Sequence, residues 1–287
     1  MLYPLRCLPM LFISASVCAL GFEVANGQEL PFKQTIPDVA SPWPTWIEGR
    51  DGVVLMAYTA NGRIQITEST DGGRSWSVVS RVDHTSSYPY MTRLRNGQLA
   101  MVVANTSKEG LPELGWIASN DEGRTWSEFQ AILIAESHIY PFGPLIEMPD
   151  GRWAYCPYRQ VGEKMFQSLL TWSSDKGKTW SDPVAFPTPA DGNKGLTEST
   201  VVQLGPKRYL AAIRADEGEE GAEAFDGFYL SRSTDGLNWS TPKPTGDIGR
   251  MPLFYRLGER WVLTYRQYAP TERASYGAYR ISRDGLV

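Results

Sequence analysis

The sequence predicts an all-β chain, a β-propeller of four-stranded antiparallel blades, on three observations. A polar turn closing on tryptophan recurs as STDGGRSW (69–76), SNDEGRTW (119–126), SSDKGKTW (173–180) and STDGLNW (233–239), with SRDGL (282–286) as a shortened fifth copy. Its tryptophans, Trp76, Trp126, Trp180 and Trp239, stand 50, 54 and 59 residues apart, a period that marks solenoids and propellers. Between turns comes a β-rich run, a glycine-containing turn and a second β-rich run, and no stretch of 28–287 sustains a helical period.

The elements follow in order. WPTWIEGRDGVVLMAY (43–58) is the first inner hairpin and YPYMTRLRNGQLAMVV (88–103) the second, each turning on an Asp-Gly or Asn-Gly pair. YPFGPLIEMPDGRWAYCPYR (140–159), TESTVVQLGPKRYLAAIR (197–214) and RMPLFYRLGERWVLTYR (250–266) are the third, fourth and fifth. In each tryptophan turn, Ser and Asp oxygens accept bonds from nearby backbone N–H groups, and Gly73, Gly123 and Gly177 supply positive φ. The indole then fills the gap between neighbouring sheets. Calcium binding is the weaker reading of these turns, because each offers too few carboxylates. The fifth unit lacks its outer strand, and QELPFKQTIPD (28–38) reads as that strand, so five blades closed by the N-terminal segment are expected. A six-bladed ring with one degenerate blade is the alternative.

Composition bounds the partners. The 287 residues carry a net charge of −4, which gives no footprint for nucleic acid. MLYPLR, an apolar run and the small residues Ala25, Asn26 and Gly27 read as a signal peptide over 1–27, leaving 28–287 as a single exported domain without a membrane anchor. Cys7 and Cys18 leave with the leader, so Cys156 stands alone, without a disulfide or thiolate cluster. With only His84 and His138, no zinc set is expected, and no cofactor motif is present.

The tryptophan turn is the Asp box, and the whole of 28–287 resembles the sialidase (neuraminidase) superfamily of propellers. The resemblance implies a glycoside hydrolase with a glutamate beside a tyrosine nucleophile and three arginines on the substrate carboxylate. Glu198 and Arg214, sixteen residues apart on consecutive strands, match that glutamate and one arginine. GRMPLFYR resembles the motif of another arginine, which would be Arg250, although the family carries that motif in its first blade, where Pro42 stands here. Arg273 precedes the fifth box as a further candidate. The family's loop aspartate has no counterpart in MAYTANGRIQITEST, and its tyrosine nucleophile falls beyond the last residue, so Tyr88 and Tyr140 are the candidates left.

The units also align on their own. Trp43, Tyr88, Phe142, Glu198 and Met251 fall at equivalent inner positions, while Tyr158, Arg159 and Arg266 occupy positions like that of Arg214. Aromatic faces with arginines and one glutamate suit an oligosaccharide or glycoconjugate bearing an acidic sugar. Three functions fit. A hydrolase would use Glu198 to activate a tyrosine or a water. A uronate lyase would use His138 or Tyr140 as base, and a glycan-binding propeller would catalyse nothing.

Overall fold

A computed structural model describes residues 44–84, 89–106, 112–132, 139–161, 165–191, 195–216, 227–257, 260–269 and 274–282. The leader, the segment 28–38, Trp43, Tyr88, His138 and Arg273 lie outside the described residues. The described residues are built of strands, with one short 3-10 turn at Arg50–Gly52. No helix among them is long and apolar enough to cross a membrane.

Among the described residues, five antiparallel sheets follow one another in chain order. The first orders β1 (Thr45–Glu48), β2 (Val54–Ala60), β3 (Arg63–Ser69) and β4 (Ser77–Val82) as a simple meander. The second does the same with β5 (Met91–Arg93), β6 (Leu99–Thr106), β7 (Pro112–Ser119) and β8 (Gln130–Ala131). In the third, both inner strands are split. β9 (Ile139–Tyr140) and β10 (Ile146–Glu147) share the first, β11 (Trp153–Tyr155) and β12 (Tyr158–Gln160) the second, before β13 (Phe166–Ser173) and β14 (Val184–Ala185). Pro141, Pro144 and Pro157 stand at the breaks, where proline cannot donate to a ladder. The fourth sheet is β15 (Gly195–Gly205), β16 (Arg208–Asp216), β17 (Gly227–Ser233) and β18 (Lys243–Ile248). The fifth is β19 (Arg250–Leu257), β20 (Arg260–Ala269) and β21 (Ala274–Ser282). Each four-stranded meander has the form of a β-propeller blade.

The sheets stack face to face because both faces of each second strand are apolar. Leu55, Ala57, Ile64 and Ile66 of the first unit pack on Met91, Leu99, Met101 and Val103 of the second. Ala100, Val102 and Leu114, on the second unit's other face, meet Trp153, Tyr155 and Leu169 of the third. Leu170 and Trp172 meet Ala211 and Ile213, and Leu210 and Ala212 meet Leu263 and Tyr265. Residues alternating along one strand thus belong to two successive cores.

The Asp boxes turn as the sequence requires. Ser69 Oγ accepts from Gly73 N–H at 2.8 Å, and the Asp71 carboxylate accepts from the Arg74 and Ser75 backbone and, at 2.6 Å, from Ser75 Oγ. The same bonds recur around Asp121 and Asp175. The Thr125 hydroxyl, with the backbone N–H groups, holds Asp121 down at about 2, and Thr179 does the same for Asp175. Gly73, Gly123 and Gly177 adopt φ of 89°, 79° and 82°. The shorter fourth box bonds Gly236 N–H, rather than a residue one further on, to Ser233 Oγ.

Each box after the first also locks onto the preceding unit. Trp126 and Trp180 pack against the cores between units one and two and between two and three, and Trp239 enters the core between three and four. A Cβ on Gly123 would stand 3.2 Å from Ile66, one on Gly177 2.8 Å from Trp116 and Trp153, and one on Gly236 3.0 Å from Trp172. In the third box the Trp116 indole N–H takes the Gly177 carbonyl at 3.2 Å. In the first, second and fourth boxes the turn's own tryptophan fills that role.

Candidate functional site

The antiparallel register separates the two ends of every sheet. Ser173, Ser233 and Ser282, which open the boxes, pair with Trp153, Tyr209 and Trp261, beside the inner hairpin turns. The other end is formed by the starts of the first strands and the finishes of the second. Five residues before each box serine stand Ser168, Phe228 and Gly277, and opposite them lie Tyr158, Arg214 and Arg266. On the inner side the same step continues to Tyr140 and to Arg250, and in the fourth unit to the bulge carrying Thr197 and Glu198. One ladder step therefore carries an aromatic pair, an acid–base pair and a pair of arginines in three successive hairpins. In the first two units that step holds Thr59 and Ala104.

This register corrects the alignment read from sequence. Phe142 and Met251 do not share the ladder position of Glu198; Tyr140 and Arg250 do. The cause is a bulge between Leu196 and Ser199 in β15 and another, one step later, between Arg250 and Leu253 in β19. Gly249, just before Arg250, has no room for a side chain, since a Cβ would lie 2.7 Å from Tyr265 and 3.0 Å from Phe228. Those two rings meet edge to face at 4.7 Å and wedge the start of β19 against the fourth sheet.

Glu198 sits at the centre of the arrangement and is only 5% exposed. One carboxylate oxygen lies 3.3 Å from the Arg214 guanidinium, and the other accepts from Met251 N–H at 2.7 Å. Met251 reaches it by adopting φ of 57°, a left-handed conformation uncommon for a methionine. The bulge in one unit thus delivers a backbone donor to the acid of its neighbour. The Thr197 hydroxyl, buried beside Glu198, makes no hydrogen bond among the described residues. Ser199 Oγ meets Ser168 Oγ of the third unit at 2.5 Å and also bonds the buried Cys156 thiol, which burial pushes up to about 12.

Arg250 and Arg266 are directly opposed across β19 and β20. Tyr140 lies over Tyr158 with ring centroids 5.2 Å apart and planes at 13°, and Phe166 meets both rings edge-on. The Tyr140 hydroxyl reaches Gln160 at 3.4 Å. Arg159 points elsewhere: adjacent residues of a strand face opposite ways, and its guanidinium holds Gln167 Oε1 at 2.6 Å. The structure therefore brings Glu198, Arg214, Arg250, Arg266 and Tyr140 to one end of three neighbouring hairpins and turns Arg159 to the other face of its strand. The sequence reading passed over Gln160 and Phe166. Counting back from each box serine and across the ladder is the signal that finds this position. Among the described residues, no three His, Cys, Asp or Glu side chains converge as a metal set would.

Repeated tryptophan turns at one end of the sheets, and a polar cluster at the other, belong to an all-β chain of propeller type. Residues 79–248, more than half of the chain, match the BNR repeat-like domain, and the protein belongs to that family. No curated protein matches the chain. Solved structures share its fold. A protein of unknown function from Dyadobacter fermentans superposes with a TM-score of 0.66 at 17% identity, over 85% of this chain and 79% of its own. The GH93 α-L-arabinofuranosidase of Fusarium graminearum gives 0.58 at 18% identity, over 83% and 79%. An α-L-arabinanase of Penicillium chrysogenum gives 0.57 at 17% identity, over 78% and 76%.

Proposed function

We propose that the protein is an exported glycoside hydrolase of sialidase type, acting on a terminal sugar that bears a carboxylate. The observation that carries this reading is the direct opposition of Arg250 and Arg266, with Arg214 on the neighbouring hairpin. The planar guanidinium fork of an arginine suits a carboxylate ligand bidentately. Glu198, fixed by Arg214 and the Met251 N–H, then serves as the base that draws a proton from the attacking water or hydroxyl. The attacking oxygen bonds to the anomeric carbon as the glycosidic C–O bond breaks, and the leaving oxygen takes its proton from solvent water.

Two assays test this. Purified protein is incubated with sialosides, with glucuronide- and galacturonide-terminated oligosaccharides and with arabinan oligosaccharides. Released sugar is quantified, and absorbance of an unsaturated uronate is followed to reveal lysis. Release of an anionic sugar, lost in Arg250→Ala, is the expected result. Arabinose release without turnover of any anionic sugar would replace the reading by a neutral one. The arabinobiose complexes among the solved structures of the same fold favour that second reading.

The proposal includes a ring of five blades closed by the segment 28–38. Two buried faces support it. Met56, Tyr58 and Ala60 of the first sheet point away from the second unit, and Val262 of the fifth points away from the fourth, yet all are buried. Deleting 28–38 from the exported form should lower the melting temperature. An unchanged melting temperature would show that another segment covers these faces.

A further inference from the structure

We infer that Tyr140 is a stacking platform for the uncharged sugar ring next to the terminal acidic one, and not the nucleophile. The inference rests on the hydrolase reading above and adds to it the direction in which the glycan lies. Tyr140 is 37% exposed, whereas Tyr155 and Phe142 beside it in the same inner hairpin are buried. One face of its ring is covered by Tyr158 at 5.2 Å, and Phe166 braces its edge at 5.9 Å. The ring is thus held by two aromatic neighbours while more than a third of the residue stays exposed. Tyr140, Tyr158, Phe166 and Gln160 carry no formal charge, unlike the pairs at the same ladder step in the next two units. Sugars present C–H groups on the ring face and hydroxyls around the edge. A flat aromatic face with the Gln160 amide and the phenol hydroxyl at its margin matches that pattern.

The spacing fits a glycan longer than one ring. The row that carries Tyr158 also carries Ser168, whose hydroxyl meets Ser199 in the fourth unit. The aromatic pair therefore faces the hairpin of Glu198, at a sheet-to-sheet separation of about 10 Å. A terminal ring seated beside Glu198 would extend its neighbouring ring toward Tyr140, one hairpin away. As a nucleophile Tyr140 is poorly served, because its hydroxyl donates to a neutral amide oxygen, Gln160 Oε1, rather than to a base.

Binding of 3′-sialyllactose and of free N-acetylneuraminic acid is measured by calorimetry in the Glu198→Gln background, which suppresses turnover. Adding Tyr140→Ala should weaken the trisaccharide about tenfold, the effect of losing one buried aromatic face, and leave the free acid within about twofold. Tyr140→Phe should restore the trisaccharide affinity. Tyr140→Leu replaces the alanine variant if that protein does not fold, since it too lacks a flat ring. Equal weakening of both ligands, or a phenylalanine variant as weak as the alanine one, overturns the platform. If the parent binds no anionic sugar but binds arabinotriose in a Tyr140-dependent way, the acidic-sugar reading fails and the platform stands.

Discussion

Replacing Gly177 by alanine tests how the third box is seated. The new Cβ would stand 2.8 Å from Trp116 Cε2 and Nε1 and from Trp153 Cζ3. Those rings already meet edge to face at 5.0 Å, and Trp153 is only 3% exposed, so Trp153 cannot withdraw into free space. Overpacking of this kind costs about 1–3 kcal/mol. A left-handed φ of 82° adds roughly 1–2 kcal/mol for a residue with a Cβ, partly offset by the stiffer unfolded chain. The expected total is about 2–4 kcal/mol, which lowers the melting temperature by roughly 5–15 °C in a chain of this size. Gly151→Ala is the internal control. Its φ is 88°, but no atom lies within 4 Å of the added Cβ, so only the backbone term remains. Gly123→Ala, with Ile66 Cγ2 at 3.2 Å, should fall between the two. Urea and thermal unfolding of the three variants give the order directly. If Gly177→Ala unfolds no earlier than Gly151→Ala, the box does not lock onto the preceding unit through its glycine.

Three further outcomes follow from other parts of the molecule. Glu198→Ala removes the carboxylate that meets Arg214 and accepts from Met251 N–H and should cost about 1–3 kcal/mol in chemical denaturation, whereas Glu198→Gln keeps an acceptor for Met251 N–H and should cost less; equal stability of both with the parent would refute the pairing. Asp121 titrates at about 2 in the folded chain and near its ordinary value once unfolded, so its contribution is complete above about pH 4 and lost as pH falls through 2. Asp121→Asn should therefore lower the melting temperature at pH 7 and converge on the parent toward pH 2, and a pH-independent gap would refute the assignment. The Cys156 thiol, pushed up to about 12 by burial, should resist iodoacetamide at pH 8 in the native protein and react only on unfolding, as mass spectrometry of the alkylated chain would report.

The parts of the fold that could be read from sequence are those whose physics is local. The Ser69, Asp71 and Trp76 hydrogen bonds that shape the first box join residues no more than four apart. The turn is therefore written in one short string wherever it occurs. Glu198 and Arg214 were also legible, because their sixteen-residue spacing matches a pair in the family that the sequence resembles, and their side chains meet across β15 and β16. The equivalences between units were not. The bulges in β15 and β19 add a residue at different steps, and Pro141, Pro144 and Pro157 interrupt the third hairpin, so counting along the chain loses the register by one or two positions. Tyr158 and Arg159 illustrate the cost. Neighbours on a strand face opposite ways, and only the pairing of Tyr158 with Ser168 shows which of them shares the face of Arg214.

The two ends of the sheets are held by different kinds of force, and this lets the chemistry of one vary without unsettling the other. At the box end, bonds close within each turn and the glycine and tryptophan key each unit to the one before it. At the opposite end, the contacts between units run through single side chains, such as Ser168 to Ser199 and Glu198 to the Met251 backbone. The same ladder step there accepts two tyrosines, a glutamate with an arginine, or two arginines without altering the boxes. Glycine variants at the box end should accordingly lower stability and leave ligand affinity nearly intact, while Tyr140 and Arg250 variants should do the reverse. Glu198 belongs to both sets, because its carboxylate joins the fourth unit to the fifth and also faces the ligand in the proposed reaction, so its substitution should change both quantities together.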